Sequence, residues 1–181
     1  NMSSMIDAEK DLDSVKPEEI EIGQLMKQIL GALKMQFEKK QIDLTLTSHK
    51  RASVRTDQYK LSQSIYNILT NAYKFTGAGG NVTVSYESES DGVRSVIEDT
   101  GTGISPEDKD RLFDAYFRGA NTDRTTGEGI GLYVVKENLD RIGGRVDVES
   151  EPGKGSRFIL SVPNLKLPDK GLNKEEATLN H

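Results

Sequence analysis

The chain predicts an α+β fold, a two-layer sandwich with helices on one face of a mixed, mostly antiparallel sheet. Three observations lead there. Apolar residues recur at helical spacing in three long segments. In other segments they alternate at strand spacing, and two pairs of these are joined by short turns, so they run antiparallel. Strands and helices also fall into separate groupings with no strict β-α-β repetition, which argues against a wholly parallel sheet.

The elements follow in order. Residues 1–16 are polar and acidic, with too few apolar side chains for a core, and read as the end of a helix or a linker. Pro17, followed by Glu18 and Glu19, predicts a helix start. Behind it Ile22, Leu25, Met26, Ile29, Leu33 and Phe37 form one apolar stripe. Ile42, Leu44 and Leu46 alternate with polar residues as one clear strand, and the Ala52 to Val54 segment is a weak second. Asp57 is placed to cap the next helix, where Leu61, Ile65, Ile68, Leu69 and Ala72 share a face. Gly77, Gly79 and Gly80 end it. Val82, Val84 and Tyr86 then alternate, Asp91-Gly92 turns the chain, and Val93 to Ile97 returns. From Thr100 to Gly131 the pattern is loop-like, with a short helix expected around Pro106 to Tyr116 and a polar stretch from Gly119 to Gly129. Leu132 to Ile142 reads as a helix closed by Gly143-Gly144. Val146 to Val148 and Phe158 to Val162 read as a last hairpin over Glu151-Pro152-Gly153, and a charged, frayed tail is expected after Pro163.

Composition narrows the function classes. The 181 residues, 34% of them hydrophobic, suffice for one core. A count of 24 Lys and Arg against 29 Asp and Glu leaves nothing broad and basic to track a phosphate backbone, so nucleic acid is not the expected partner. The absence of cysteine excludes disulfides and thiolate metal sites. No apolar run approaches the roughly 18 residues that cross a bilayer, so no membrane contact by this segment is expected. The first residue is Asn, which suggests a piece of a longer protein.

Four separated clusters carry chemistry. Asn67 and Asn71 lie at i and i+4 with Lys74 one turn on, so the three share a helix face. An amide oxygen is a hard ligand suited to Mg²⁺, and an ammonium suits phosphate. A solvated helix face is the alternative for such residues, but the apolar side adjoining them puts the amides at the rim of a cleft. Asp99-Thr100-Gly101-Thr102-Gly103-Ile104 follows a strand. A carboxylate there could accept a hydrogen bond from an exocyclic amine, with glycines allowing backbone close to a flat base; a plain turn is the alternative. Gly127-Glu128-Gly129-Ile130-Gly131-Leu132 opens a helix, where free N–H groups and the helix N-terminus favour oxyanions. Arg118 precedes it as a candidate for a terminal phosphate, with a surface ion pair as the alternative. Gly153-Lys154-Gly155-Ser156 lacks the Lys-Ser/Thr dipeptide of a P-loop, and a tight hairpin turn is the better reading.

These clusters together resemble the catalytic domain of sensor histidine kinases. Asn67 to Thr76 looks like the N box, Asp99 to Ile104 the G1 box, Leu112 to Arg118 the F box, Gly127 to Leu132 the G2 box and Gly153 to Phe158 the G3 turn, all in the family's order. The family shares an ATPase fold with gyrase, a heat-shock chaperone and mismatch-repair proteins. The resemblance implies a Bergerat-type sandwich over residues 20–163, preceded in 1–19 by the end of a dimerisation helix and its hinge and followed in 164–181 by a polar tail. It implies that Asn71 holds Mg²⁺ with Asn67 near the phosphates, that Lys74 and Arg118 meet phosphate, and that Phe75 stacks near the base. Asp99 would recognise the adenine amine, Gly101 and Gly103 would shape its pocket, and Gly129 and Gly131 would offer backbone to the phosphates. Further ATP contacts are implied for Ile104, Phe117, Gly127, Ile130, Leu132 and Ser156. Glu128 stands where the family often has a small hydroxyl residue, and Gly77 where it often has proline or another small residue.

On this resemblance the activity is transfer of the γ-phosphoryl of Mg-ATP to a histidine. Neither His49 nor His181 has the family's acceptor context, so the acceptor is expected on a separate dimerisation domain of the same kinase, with a response regulator downstream. The implied setting is the cytoplasmic domain, monomeric in isolation, of a membrane-anchored sensor. The alternative is a nucleotide-binding regulatory module or a non-kinase ATPase of the same fold.

Overall fold

The computed structural model describes residues 14–115, 117 and 131–166. The described chain runs β1 (Pro17–Glu21), α1 (Ile22–Lys39), β2 (Asp43–Leu46), β3 (Ser53–Asp57), α2 (Gln58–Phe75), β4 (Asn81–Glu89), β5 (Gly92–Asp99), α3 (Pro106–Lys109), α4 (Gly131–Arg141), β6 (Arg145–Glu151) and β7 (Gly155–Pro163). Five strands form one sheet in the order β2-β4-β5-β7-β6, while β1 and β3 form a separate two-stranded ribbon. Only the β2-β4 pairing within the described strands is parallel, so the sheet is mixed and mostly antiparallel, as the sequence predicts.

The period-2 alternation sorts the sheet into two faces. Val82, Val84, Val93, Ile97, Phe158, Leu160 and Val162 are buried on the face that meets the helices. They pack with Leu25, Met26, Leu33 and Phe37 of α1, Leu61, Ile65, Ile68 and Leu69 of α2, and Val135 and Leu139 of α4. Each such aliphatic or aromatic side chain contributes about 1.5–3 kcal/mol on burial, so this seam is the main source of stability. The opposite face carries ion pairs such as Arg94–Glu87 at 3.1 Å and Arg157–Glu149 at 3.0 Å. These are surface pairs of little net effect.

Four sequence expectations change. Pro17 opens a strand, not a helix: Pro17 to Glu21 pairs antiparallel with Asp57 to Ser53, and Ile20 is buried by that ribbon. The helix begins at Ile22 instead, because the Glu21 carboxylate accepts from the Gly23 and Gln24 N–H groups and so supplies the cap. The weak strand at Ala52 to Val54 is displaced to Ser53–Asp57 and belongs to the ribbon, not the main sheet. Only Pro106–Lys109 of the expected 106–116 helix is helical, capped by the Ser105 hydroxyl, and turns follow it. Asn164 and Leu165, immediately after Pro163, are anchored, while residues 167–181 of the expected tail lie outside the described residues. Leu165 and Arg55 exchange hydrogen bonds, and Asn164 joins Arg55 to Asp91.

Candidate functional site

Asp57 caps α2 as predicted, its Oδ1 accepting from the Lys60 N–H at 2.9 Å. With Leu61, Ile65, Ile68 and Leu69 locked in the core, the rotation of α2 is fixed and Asn67, Asn71 and Lys74 fall on its less buried side. Asn67 and Asn71 are half-buried and Lys74 is exposed. The Asn67 amide donates to the carbonyl of Gly131 at 3.2 Å, which ties α2 to the first residue of α4. The Asn71 side chain makes no hydrogen bond to any of the described residues. At the C-terminal end of α2, the Lys40 ammonium donates to the Tyr73 and Lys74 carbonyls and lies 4.6 Å from the Tyr73 ring centre. A cation there suits the partial negative charge of a helix end.

Asp99 ends β5 with only 5% of its surface exposed. Burial raises its pKa above the ordinary aspartate range, the N–H groups of Gly101 and Ser156 oppose that rise, and the neighbouring Glu98 charge adds to it. A buried carboxylate that accepts the Gly101 N–H at 2.9 Å still has acceptor capacity for a further donor.

The close approach that the G1 glycines allow is to the protein's own backbone. A side chain on Gly101 would meet the Phe75 carbonyl oxygen at 2.4 Å, and one on Gly103, at φ +73°, would meet the Glu151 carbonyl oxygen at 2.0 Å. Gly155, at φ +90°, abuts the Asp99 carbonyl oxygen in the same way. Hydrogen bonds lie beside these contacts: Thr102 N–H to the Phe75 carbonyl at 3.1 Å, and Gly153 N–H to the Thr102 carbonyl at 2.7 Å. The end of α2, the loop after β5 and the β6–β7 turn are thereby fused into one floor. Ile104 continues it, half-buried against the core, its N–H bonded to Ser150.

The remaining candidates divide. Leu112 and Phe113 pack partly against the core, and Phe117 lies half-buried with the Arg111 guanidinium 5.0 Å from its ring centre. Gly131 is exposed at the start of α4, whereas the Leu132 side chain is a core residue, 9% exposed. Ser156 is buried beside Asp99 in the strand register. Lys154 pairs with Glu151 at 2.8 Å on the hairpin turn, as the turn reading predicts. Arg118, Gly127, Gly129 and Ile130 lie outside the described residues, as does the 119–129 loop.

Sequence reasoning missed Ser150, the packing of Gly155 against the Asp99 carbonyl, and the buried ion pair of Asp57 with Lys60. The first two could have been found by writing out the β6–β7 register, which brings Ser150 opposite Ser156 and Gly155 against the G1 loop. His49 is exposed in the connection between β2 and β3, beyond Ser48, whose hydroxyl bonds the Tyr86 N–H. Tyr86 registers with Ser95, so His49 is near the end of the sheet remote from Asp99, roughly 13 Å along the strands.

Comparison with known proteins agrees with this arrangement. Residues 56–166 match the family of histidine kinase-, DNA gyrase B-, and HSP90-like ATPases. Sensor protein SrrB of Staphylococcus aureus is 32% identical over 142 residues, which is 75% of this chain and 24% of SrrB, so the chain spans about a quarter of the curated relatives it matches. The nucleotide-free catalytic domain of the histidine kinase ThkA superposes with a TM-score of 0.73 at 25% identity, covering 82% of this chain and 96% of that one. Full-length ShkA, solved in complex with AMPPNP, gives a TM-score of 0.74 at 28% identity over 85% of this chain and 32% of its own. The chain belongs to the histidine kinase-, DNA gyrase B- and HSP90-like ATPase family, and within it is the ATP-binding catalytic domain of a sensor histidine kinase.

Proposed function

We propose that this domain binds Mg-ATP between α2 and the floor formed by Asp99, Gly101 and Ser156, and donates the γ-phosphoryl group to a histidine on a separate dimerisation domain of the same kinase. A response regulator would receive the phosphoryl group next. The observation that carries the reading is the juxtaposition of a buried carboxylate, Asp99, with the end of the helix that bears Asn67, Asn71 and Lys74, through the contact of Gly101 with Phe75. The first group suits an adenine amine and the second a metal-bound phosphate chain.

Asn71 fits the metal. Its side-chain oxygen is a hard donor, half-buried and unengaged by other described residues, and Mg²⁺ is commonly held by one or two protein oxygens together with substrate phosphates. When bound, the ion would neutralise phosphate charge. Lys74 and Arg118 would add positive charge at the phosphates, Asn67 and the N-terminus of α4 would position them, and Phe75 would flank the base. Phosphoryl transfer depends chiefly on positioning and charge, so these groups suffice for the donor half of the reaction. No described cluster of three or more His, Cys, Asp or Glu offers a competing metal site.

Calorimetric titration with ATP, with and without Mg²⁺, tests the reading. Asn71→Ala is expected to abolish the Mg²⁺-dependent part of the affinity while leaving the melting temperature within a few degrees, because its neighbours on α2 carry the packing. An Asn71→Ala protein that binds Mg-ATP like the parent would remove the metal assignment.

A further inference from the structure

A row of three polar residues crosses the sheet at the site. Asp99 on β5 registers with Ser156 on β7, and Ser156 with Ser150 on β6. All three keep step with Ile97, Phe158 and Val148 two residues away, so they face the helix layer.

Ser150 determines where the protons in this row point. Its Oγ receives the Ile104 N–H at 2.8 Å, lies 2.7 Å from the Gly155 carbonyl oxygen, and lies 3.0 Å from Ser156 Oγ. A serine hydroxyl has one proton and two lone pairs. A carbonyl only accepts, so the Ser150 proton goes to Gly155. A backbone N–H only donates, so Ile104 takes one lone pair. At the contact with Ser156, Ser150 has only its second lone pair left, and Ser156 must be the donor. With its single proton so directed, Ser156 offers lone pairs alone to anything bound beside Asp99, itself an acceptor.

We infer that Ser150 is a specificity-positioning residue: by orienting the Ser156 hydroxyl it keeps the wall beside Asp99 purely hydrogen-bond accepting, which selects a base edge bearing an amine over one bearing a carbonyl. The inference rests on the nucleotide reading proposed above. Ser150 itself does not touch the base. Without it, the Ser156 proton is free to turn toward a carbonyl on the ligand, and a base such as hypoxanthine, with oxygen in place of adenine's amine, is no longer rejected as strongly.

The test compares dissociation constants for Mg-ATP and Mg-ITP in the parent and in Ser150→Ala, Ser150→Thr and Ser156→Ala proteins. Ser150→Ala is expected to narrow the parent's preference for ATP by about fivefold, the effect of one hydrogen bond. Ser150→Thr, which keeps the hydroxyl, is expected to restore the preference to within about twofold of the parent. Adding Ser156→Ala to Ser150→Ala should produce no further narrowing, since both act through one group. A merely structural role would weaken both nucleotides equally, and an unchanged ratio in Ser150→Ala would overturn the inference. If Ser150→Ala does not fold, Ser150→Cys decides instead: its thiol accepts the Ser156 proton only weakly, so the ratio narrows if the inference holds and stays unchanged if it fails. A parent that bound neither nucleotide would overturn the nucleotide reading together with this inference, whereas a parent that binds ATP with the ratio insensitive to these changes overturns only the role of Ser150.

Discussion

Asp57 and Lys60 form an ion pair at 3.6 Å with each side chain only 6% exposed, where the segment before β1 meets the helix that carries Asn67 and Asn71. The two Asp57 oxygens accept from the N–H groups of Lys60 and Lys16, each at 2.9 Å, and the Lys60 ammonium reaches the Ser14 carbonyl at 3.2 Å. One buried pair thus caps α2 and holds the preceding segment to it.

Acid stability should report this pair. Burial alone would raise the Asp57 pKa, but the Lys16 and Lys60 N–H groups and the Lys60 charge together outweigh it and bring it below the ordinary value of 3.8. A lowered carboxylate pKa contributes stability that is present above the unfolded value and lost as pH falls through the folded one. Asp57→Asn keeps the cap but removes the carboxylate charge 3.6 Å from the buried Lys60 ammonium, so it is expected to lose about 3 kcal/mol at pH 7 and to flatten the acid limb below about pH 4. Lys60→Met in the same protein should recover most of that loss. Urea denaturation across pH measures both, and a loss under about 0.5 kcal/mol at pH 7 would show that the pair is not coupled as described.

Asp99 should behave in the opposite sense. Its pKa is raised, chiefly by burial, so its charge opposes folding: stability is highest below the unfolded pKa and declines as pH rises through the folded one. Asp99→Asn is therefore expected to hold or increase the melting temperature at neutral pH while weakening ATP binding by about tenfold or more, the effect of losing a hydrogen bond to a charged group. Equal affinity of the parent for GTP and ATP, or an Asp99→Asn protein that both unfolds earlier and keeps its ATP affinity, would contradict the assignment.

Gly103→Ala should uncouple the floor. A methyl group 2.0 Å from the Glu151 carbonyl, at positive φ, forces the G1 loop off the β6–β7 turn, at about 1–3 kcal/mol in stability. Gly131→Ala, where no described residue lies within 4 Å of the added methyl group, is the matched control and should leave stability nearly unchanged. If the two variants melt alike, the backbone contact at Gly103 does not constrain the loop.

Much of this was readable before any coordinates, for a local reason. The α1 and α2 stripes, the β4–β5 hairpin and the Asp57 cap depend on residues a turn or a register step apart, and all are present. Apart from the 106–116 helix, of which only Pro106–Lys109 forms, what failed was non-local. Pro17-Glu18-Glu19 has the composition of a helix opening, and only pairing with Arg55 to Asp57 makes it a strand. The parallel β2-β4 contact joins residues far apart in sequence, and the anchoring of Leu165 to Arg55 spans 110 positions. The site divides in the same way. Its boxes are contiguous and legible, whereas Ser150, which belongs to none of them, acts through neighbours that the hairpin register brings to it.

The most direct test of the donor-half account is transfer of label from radiolabelled ATP. The chain has two histidines, His49 and His181. His49 stands near the sheet end remote from Asp99, and its neighbours in sequence, Ser48, Lys50 and Arg51, offer no carboxylate to take its proton. Incubated alone with Mg-ATP, the chain is predicted to give no acid-labile phosphoprotein; with a purified dimerisation domain carrying an acceptor histidine, label is predicted on that partner. Robust acid-labile label on the isolated chain, persisting after His181→Ala, would contradict the account.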